Sequence, residues 1–151
     1  MRLQVRIKPD IDTAKILKSR GLGASHDATV HIAGVIRQLC DPYVPMDQGT
    51  LKNTAQVIDA AGEVYILYGQ PYAHYQYTGE VYGPNIPIRD KATGEVIGWY
   101  SNPHIQKQPT GRELTYSGAP MRGKQWDKRM MADRGDDVRR ALARYVGGRY
   151  R

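Results

Sequence analysis

Four histidines, one cysteine and a scatter of carboxylates are the side chains that could do covalent or metal chemistry in this chain. His26 and His31 stand five apart, which does not put them on one helix face, and no HExxH occurs, so a zinc site is not expected. His74 and His104 each stand alone. Asp47, Asp59 and Glu63 lack the motif that a Mg²⁺-dependent nuclease would need. Gly21-Leu22-Gly23 lacks the third glycine and the βαβ setting of a dinucleotide site, and neither a Walker loop nor GxSxG is present. Cys40 is alone, which excludes an intrachain disulfide and a multi-cysteine metal site. It lies at the edge of a helical stripe, where burial is expected. The sequence thus predicts no catalytic, metal-binding or cofactor-binding residue, and no enzyme.

What remains is non-covalent chemistry. The net charge is +7, and residues 121–151 hold ten Lys/Arg against four acids, which leaves +1 for the preceding 120 residues. Arg139, Arg140, Arg144, Arg149 and Arg151 form the densest part of this field. Such a field suits DNA or an acidic protein surface; a solvated helix face is the plainer reading. The chain has eleven tyrosines and no phenylalanine, and six of the tyrosines lie between Tyr65 and Tyr82. Each buries a large ring while its hydroxyl needs a partner or water. Tyr72, Tyr75, Tyr77 and Tyr82 therefore suit a rim or subunit contact, with ordinary core packing as the alternative.

These side chains need elements to position them. The chain has 151 residues, 40% of them apolar and 25% charged, which is ordinary globular usage and predicts one domain over 1–151. No apolar run approaches a bilayer span, and the first residues carry no signal-peptide pattern, so neither membrane nor secretion is expected. Leu3 to Lys8 alternates as a half-buried strand, and Asp10 or Asp12 can cap a short helix to Lys18 before Gly21 and Gly23. Ala28, Ile32, Val35, Ile36 and Leu39 form a helical stripe, with Ser25 or Asp27 as its cap and Pro42 as its limit. A Pro-rich connection follows, then one helical turn at Thr50–Asn53. Ala55–Asp59 and Glu63–Tyr68 read as a hairpin through Ala60-Ala61-Gly62. Both faces of its second strand are apolar, which predicts a central or doubly covered strand. Pro71 opens a helix that Gly79 stops.

Residues 80–123 differ in texture. They hold five prolines and many glycines, with Ile86–Arg89 and Val96–Tyr100 as a hairpin around Gly94 and no other periodicity. A stretch this long predicts an arm that leaves the domain. Residues 124–151 then form a basic helical segment. Trp126 and Met130 sit one turn apart, Gly135 breaks the run, and Asp136 caps a second helix. Its stripe is Val138, Ala141, Leu142, Tyr145 and Val146, and Gly147-Gly148 ends it. The fold class expected is α+β: a small antiparallel sheet against amphipathic helices, with a long loop or hairpin arm.

Two stretches carry a resemblance. Asp41-Pro42-Tyr43-Val44-Pro45-Met46-Asp47-Gln48-Gly49-Thr50-Leu51-Lys52-Asn53-Thr54-Ala55 gives P-x-D-x-G-x-L, and Tyr68-Gly69-Gln70-Pro71-Tyr72-Ala73-His74-Tyr75-Gln76-Tyr77-Thr78-Gly79 gives PYA-x-Y-x-x-x-G. The order helix, first motif, β-hairpin, second motif resembles the minor capsid and head–tail joining (tail-completion, neck) proteins of long-tailed bacteriophages. Tyr82-Gly83-Pro84-Asn85, Gly98-Trp99-Tyr100-Ser101 and Pro109-Thr110-Gly111-Arg112-Glu113-Leu114-Thr115-Tyr116 resemble one minor-capsid branch, as does Trp126 ahead of the last helices. The likeness spans roughly residues 27–146 and rests on the order of short motifs.

The resemblance implies a structural virion protein, assembled in the host cytoplasm, that forms a homo-oligomeric ring around the DNA channel. Six copies are favoured over twelve. Neighbouring connector and tail-tube or tail-terminator proteins would be its partners, and genomic DNA would pass without sequence readout. A head-closure ring and a small basic DNA-binding protein are the alternatives. Pro45, Gly49, Leu51, Pro71 and Gly79 are expected as turns and anchors, and Tyr72, Tyr75, Tyr77, Tyr82, Trp99, Tyr100 and Tyr116 as subunit contacts. The arginines from Arg139 onward are expected to meet DNA or an acidic partner.

Overall fold

In the computed structural model, which describes residues 4–8, 12, 15 and 26–147, the core is organised around one strand. β3 (Glu63–Tyr68) lies between β1 (Val5–Ile7) and β2 (Gln56–Ala60) in an antiparallel sheet of order β1-β3-β2. Val64, Ile66 and Tyr68 are buried on one face, while Tyr65 and Leu67 are half-buried on the other. β3 is thus central, as its sequence requires, but only one of its faces is fully covered. In β1, Val5 and Ile7 are buried and Arg6 is exposed, which is the alternation expected of a half-buried strand.

The hairpin between β2 and β3 is tighter than the sequence implies. Ala60 pairs with Glu63, which leaves Ala61 and Gly62 as a two-residue loop with φ of 54° and 80°. Positive φ at both positions is the type I′ geometry that matches strand twist.

Helix α1 (His26–Cys40) covers the sheet with Ala28, Ile32, Ala33, Ile36 and Cys40. The buried stripe is rotated relative to the expected one: Val35 and Leu39 are only half-buried, and Cys40 is fully buried. Asp27 lies inside the first turn, where its charge complements the helix dipole, and so does not cap the helix. Ser25, the other cap candidate, lies outside the described residues. So do Leu3, Asp10, Lys18, Gly21, Gly23 and Gly148 of the expected elements. The Asp12 carboxylate accepts the Lys15 N–H at 2.8 Å, while the rest of the expected short helix lies outside the described residues.

The connection after α1 belongs to the core. Tyr43 and Val44 are fully buried, and Leu51 from the single turn α2 (Thr50–Asn53) joins them. α3 (Ala73–Thr78) follows β3. Pro71 lies before this helix rather than in its first turn: the Gln70 carbonyl accepts the Ala73 N–H at 3.0 Å, and Pro71 occupies the resulting turn, which its fixed φ also suits.

The arm consists of two successive ribbons. β4 (Glu80–Gly83) pairs with β7 (Gln108–Glu113), and β5 (Ile86–Arg89) pairs with β6 (Val96–Tyr100) beyond them. The outer hairpin is the expected one; the inner ribbon occupies chain expected to be structureless. The arm ends near Glu113 rather than Gly123, because residues 114–125 return to the body. Leu114 N–H donates to Gly79, Gly123 N–H to Tyr43 and Gln125 N–H to Tyr77, at 2.8, 3.1 and 3.1 Å. The Arg122 guanidinium also donates to the Val44 carbonyl.

α4 (Trp126–Tyr145) packs on α1 and closes the core. The expected break at Gly135 falls one residue earlier, at the non-helical Arg134 (φ −128°, ψ 18°), which divides α4 into two helical halves; Asp136 lies in the first turn of the second half. Trp126 is fully buried, edge-on to Tyr68 and Tyr77 at 5.1 and 5.0 Å. Val138, Leu142 and Ala143 bury the second half. Tyr145 stays half-exposed and stacks on His31 at 4.3 Å. Gly147, at φ 71°, follows the helix end. The whole is a mixed α+β fold.

Candidate functional site

The outer hairpin is the least covered apolar part of the described chain. Trp99 and Ile97 are 66% exposed, and Ile86, Ile88, Val96 and Tyr100 between 42% and 50%. Ile86 pairs with Tyr100, Pro87 with Trp99, and Ile88 with Gly98. Opposed residues share a face, so Ile86, Ile88 and Tyr100 occupy one side, and Pro87 and Trp99 the other. Neither side is polar. β5 and β6 pack chiefly on each other, and a two-stranded ribbon alone is marginal in water. This is the densest group of exposed large apolar side chains among the described residues.

The hairpin tip is held by polar bonds. The Asp90 carboxylate accepts the N–H groups of Ala92 and Thr93 at 2.7 and 2.9 Å, which holds its carboxyl below the ordinary aspartate range. Arg89 donates to the Gly94 carbonyl at 3.0 Å, and Gly94 takes the positive φ expected of it. These bonds fix the turn of the ribbon.

The arm root is stapled to the body. Glu113 and Lys124 form an ion pair at 2.6 Å, and the Tyr116 hydroxyl donates to the Gln76 carbonyl at 2.6 Å. Burial, and then the Glu113 charge, push the Tyr116 phenol upward. Beside this root Tyr75 and Tyr82 pack at 4.7 Å, with His74 edge-on to both and the Lys107 ammonium 5.9 Å from the Tyr75 ring. Both tyrosines are half-buried. Tyr77 is half-buried and packs its ring edge-on to Trp126 against the core; burial raises its phenol, and the nearby Asp127 adds to that.

A cleft of about 520 Å³ opens on the body between the segment 45–51, Tyr72, Gln76 and residues 115–117. It gathers the expected anchors Pro45, Gly49 and Leu51 together with Tyr72 and Tyr116. Pro45 and Leu51 are buried, and Tyr72 is 41% exposed. Gly79, the expected helix stop, takes φ 76° at the C-terminus of α3, where its N–H donates to the Tyr75 carbonyl.

No family model, curated protein or solved structure matches this chain. Its site has to be read from geometry and from the order of its motifs.

The basic helix is less open to polyanions than its charge count implies. Arg139 pairs with Asp136 at 2.6 Å, Arg140 with Asp137 at 2.7 Å, and Arg134 with Asp137 at 2.8 Å. The two cations lower the Asp137 carboxyl, chiefly through the Arg134 hydrogen bond. Arg144 is exposed near the C-terminal end of α4. Arg149 and Arg151 lie outside the described residues. Among the described residues no group of three or more His, Cys, Asp or Glu is placed to hold a metal ion, and no helix is long and apolar enough to cross a membrane.

Sequence reasoning placed Trp99 and Tyr100 among contact residues but left Ile86, Ile88, Val96 and Ile97 as strand residues only. A signal was present: aliphatic side chains on both faces of a hairpin have no room in a core reached through a glycine- and proline-rich stretch. The cleft residues Met46, Thr115 and Ser117 carried no such signal, since they meet only through folding.

Proposed function

We propose that this chain is a structural protein of the head–tail junction of a long-tailed bacteriophage, a neck or tail-completion protein that assembles into a homo-oligomeric ring around the DNA channel. The observation that carries this reading is the apolar outer hairpin, held away from a body that already has its own core. Such a hairpin gains most when another polypeptide covers it. The order of the two motifs supports the choice of setting. Assembly then proceeds by shape and charge complementarity, with no bond made or broken. Contacts between two different patches of identical subunits close rings when the rotation is right. Six copies remain favoured over twelve, and connector and tail proteins are the neighbours above and below.

The alternative of a small basic DNA-binding protein is weakened by the pairing of Arg139 and Arg140 with Asp136 and Asp137. Half-neutralised arginines suit a wall past which DNA slides better than a tight phosphate grip. Electron microscopy of the purified chain, alone and with its virion, tests the proposal. Rings on the particle axis are expected. A protein that never enters virions overturns the reading; strong, salt-sensitive duplex binding by an isolated monomer would favour the alternative.

A further inference from the structure

We propose that the outer hairpin of one copy seats Trp99 in the body cleft beside the segment 45–51 of the next copy. The inference rests on the self-assembly reading above and goes beyond it by naming the two surfaces that meet. Three observations support it.

The first is area. Ile86, Ile88, Val96, Ile97, Trp99 and Tyr100 are each 42–66% exposed. They are divided between the two faces of the ribbon, so the face that carries Trp99 offers only part of the ~800 Å² per partner of a standard interface, and the area places the contact among the small ones. A second copy supplies a partner in the required stoichiometry without any further protein.

The second is shape. The cleft, at about 520 Å³, is large enough for an indole and an adjoining aliphatic side chain. Its lining is largely polar, with Asp47, Gln48, Thr50, Gln76, Thr115 and Ser117; Met46 and Tyr72, 40% and 41% exposed, supply the apolar contacts for an indole ring, whose N–H can donate to those polar groups. A buried tryptophan is among the commonest anchors of protein interfaces.

The third is charge and symmetry. Asp47 is exposed at the cleft, and Arg89 is exposed at the end of β5, in the same hairpin as Trp99; its guanidinium already donates to the Gly94 carbonyl, which leaves its charge and its remaining donors for Asp47. Hairpin and cleft are different surfaces of one chain, so the contact extends head-to-tail into a ring unless two copies exchange hairpins reciprocally, which closes a dimer. A hairpin-to-hairpin contact would stop at a dimer.

Two classes of variant test the contact by sedimentation velocity. The hairpin variant Trp99→Ser leaves the cleft intact. The cleft variants Gln48→Trp and Ser117→Arg alter exposed positions of its lining and leave the hairpin intact; circular dichroism confirms that each is folded. The expected result is that each class alone self-associates at least about tenfold more weakly than wild type. An equal mixture of the two classes should form a one-to-one dimer, because one intact hairpin still meets one intact cleft. Folded cleft variants that assemble like wild type, or a mixture that stays monomeric, overturn the proposal. If rings still form from both cleft variants, the ring reading survives and the hairpin–cleft contact does not. A wild-type chain found in virions but monomeric alone also overturns the contact only. Absence from virions removes the reading beneath it.

Discussion

The hydroxyl of Tyr116 donates to the backbone carbonyl of Gln76 at 2.6 Å and ties the returning leg of the arm to the helix from which the arm departs. The donor is half-buried, so its loss is felt without leaving a charge behind. Tyr116→Phe should cost about 0.5–1.5 kcal/mol in urea unfolding. Hydrogen exchange of the Leu114 N–H, which bonds to Gly79, should accelerate in the same variant while that of α1 follows only the global change.

Gly79 should tolerate no side chain. A Cβ there would lie 2.6 Å from Lys124 Cδ, 2.9 Å from Lys124 Cβ and 3.1 Å from the Tyr116 hydroxyl, on a backbone at φ 76°. Gly79→Ala is expected to destabilise by about 1–3 kcal/mol, read as a fall in the denaturation midpoint. The glycine is needed both for its φ and for the space it leaves.

Ala61 offers the reverse effect. It sits at φ 54° in the β2–β3 loop, a conformation that costs an alanine about 1 kcal/mol and an asparagine less. Ala61→Asn should therefore raise stability by about 0.5–1 kcal/mol, and thermal melts would show it. The same substitution at Ala60, a paired strand residue, should not stabilise.

Acid should loosen the arm root. The Lys124 hydrogen bond and charge lower the Glu113 carboxyl below its ordinary value of 4.5. A depressed carboxyl contributes stability above its unfolded value and loses it as pH falls through its folded one. The stability gap between wild type and Glu113→Gln should be present near neutral pH and shrink as pH drops below about 4.5. Parallel melts across that range check it; the gap will be small, because both partners are exposed.

Cys40 should be inert in the native state. Burial, with the charges of Asp127 and Asp41 adding to it, pushes its thiol up to about 12. A disulfide reagent at pH 8 should label the folded protein far more slowly than the denatured chain, in which the thiol returns to its ordinary range. Equal labelling rates in the two states would contradict the buried placement.

Much of the body was legible in the sequence because its pattern is set by burial. The period-two strand at Val5–Ile7, the helix over Ile32 and Ile36 and the hairpin ending at Tyr68 all follow from where apolar residues recur. Tyr43 and Val44 escaped notice: two adjacent buried residues between prolines have no period to detect. The β4–β7 ribbon was also invisible. Gln108–Glu113 is exposed throughout, and its partner strand, Glu80–Gly83, lies on the far side of the outer hairpin in the chain, so no local period announces the pairing. The acids paired with Arg139 and Arg140 were visible at i−3, yet a net charge count hides such local cancellation. The candidate site was half legible. Trp99 and Tyr72 could be singled out by type, whereas the cleft exists only once residues 45–51 and 115–117 have met.

Both legs of the arm are fastened at the same level, one continuing from α3 and the other leading into α4. A pull on the hairpin tip is therefore shared by two strands and delivered to the start of α4, where Trp126 is the largest fully buried side chain. A load applied to the hairpin would reach the centre of the domain rather than peel its rim, and the domain should fail by unfolding as a whole.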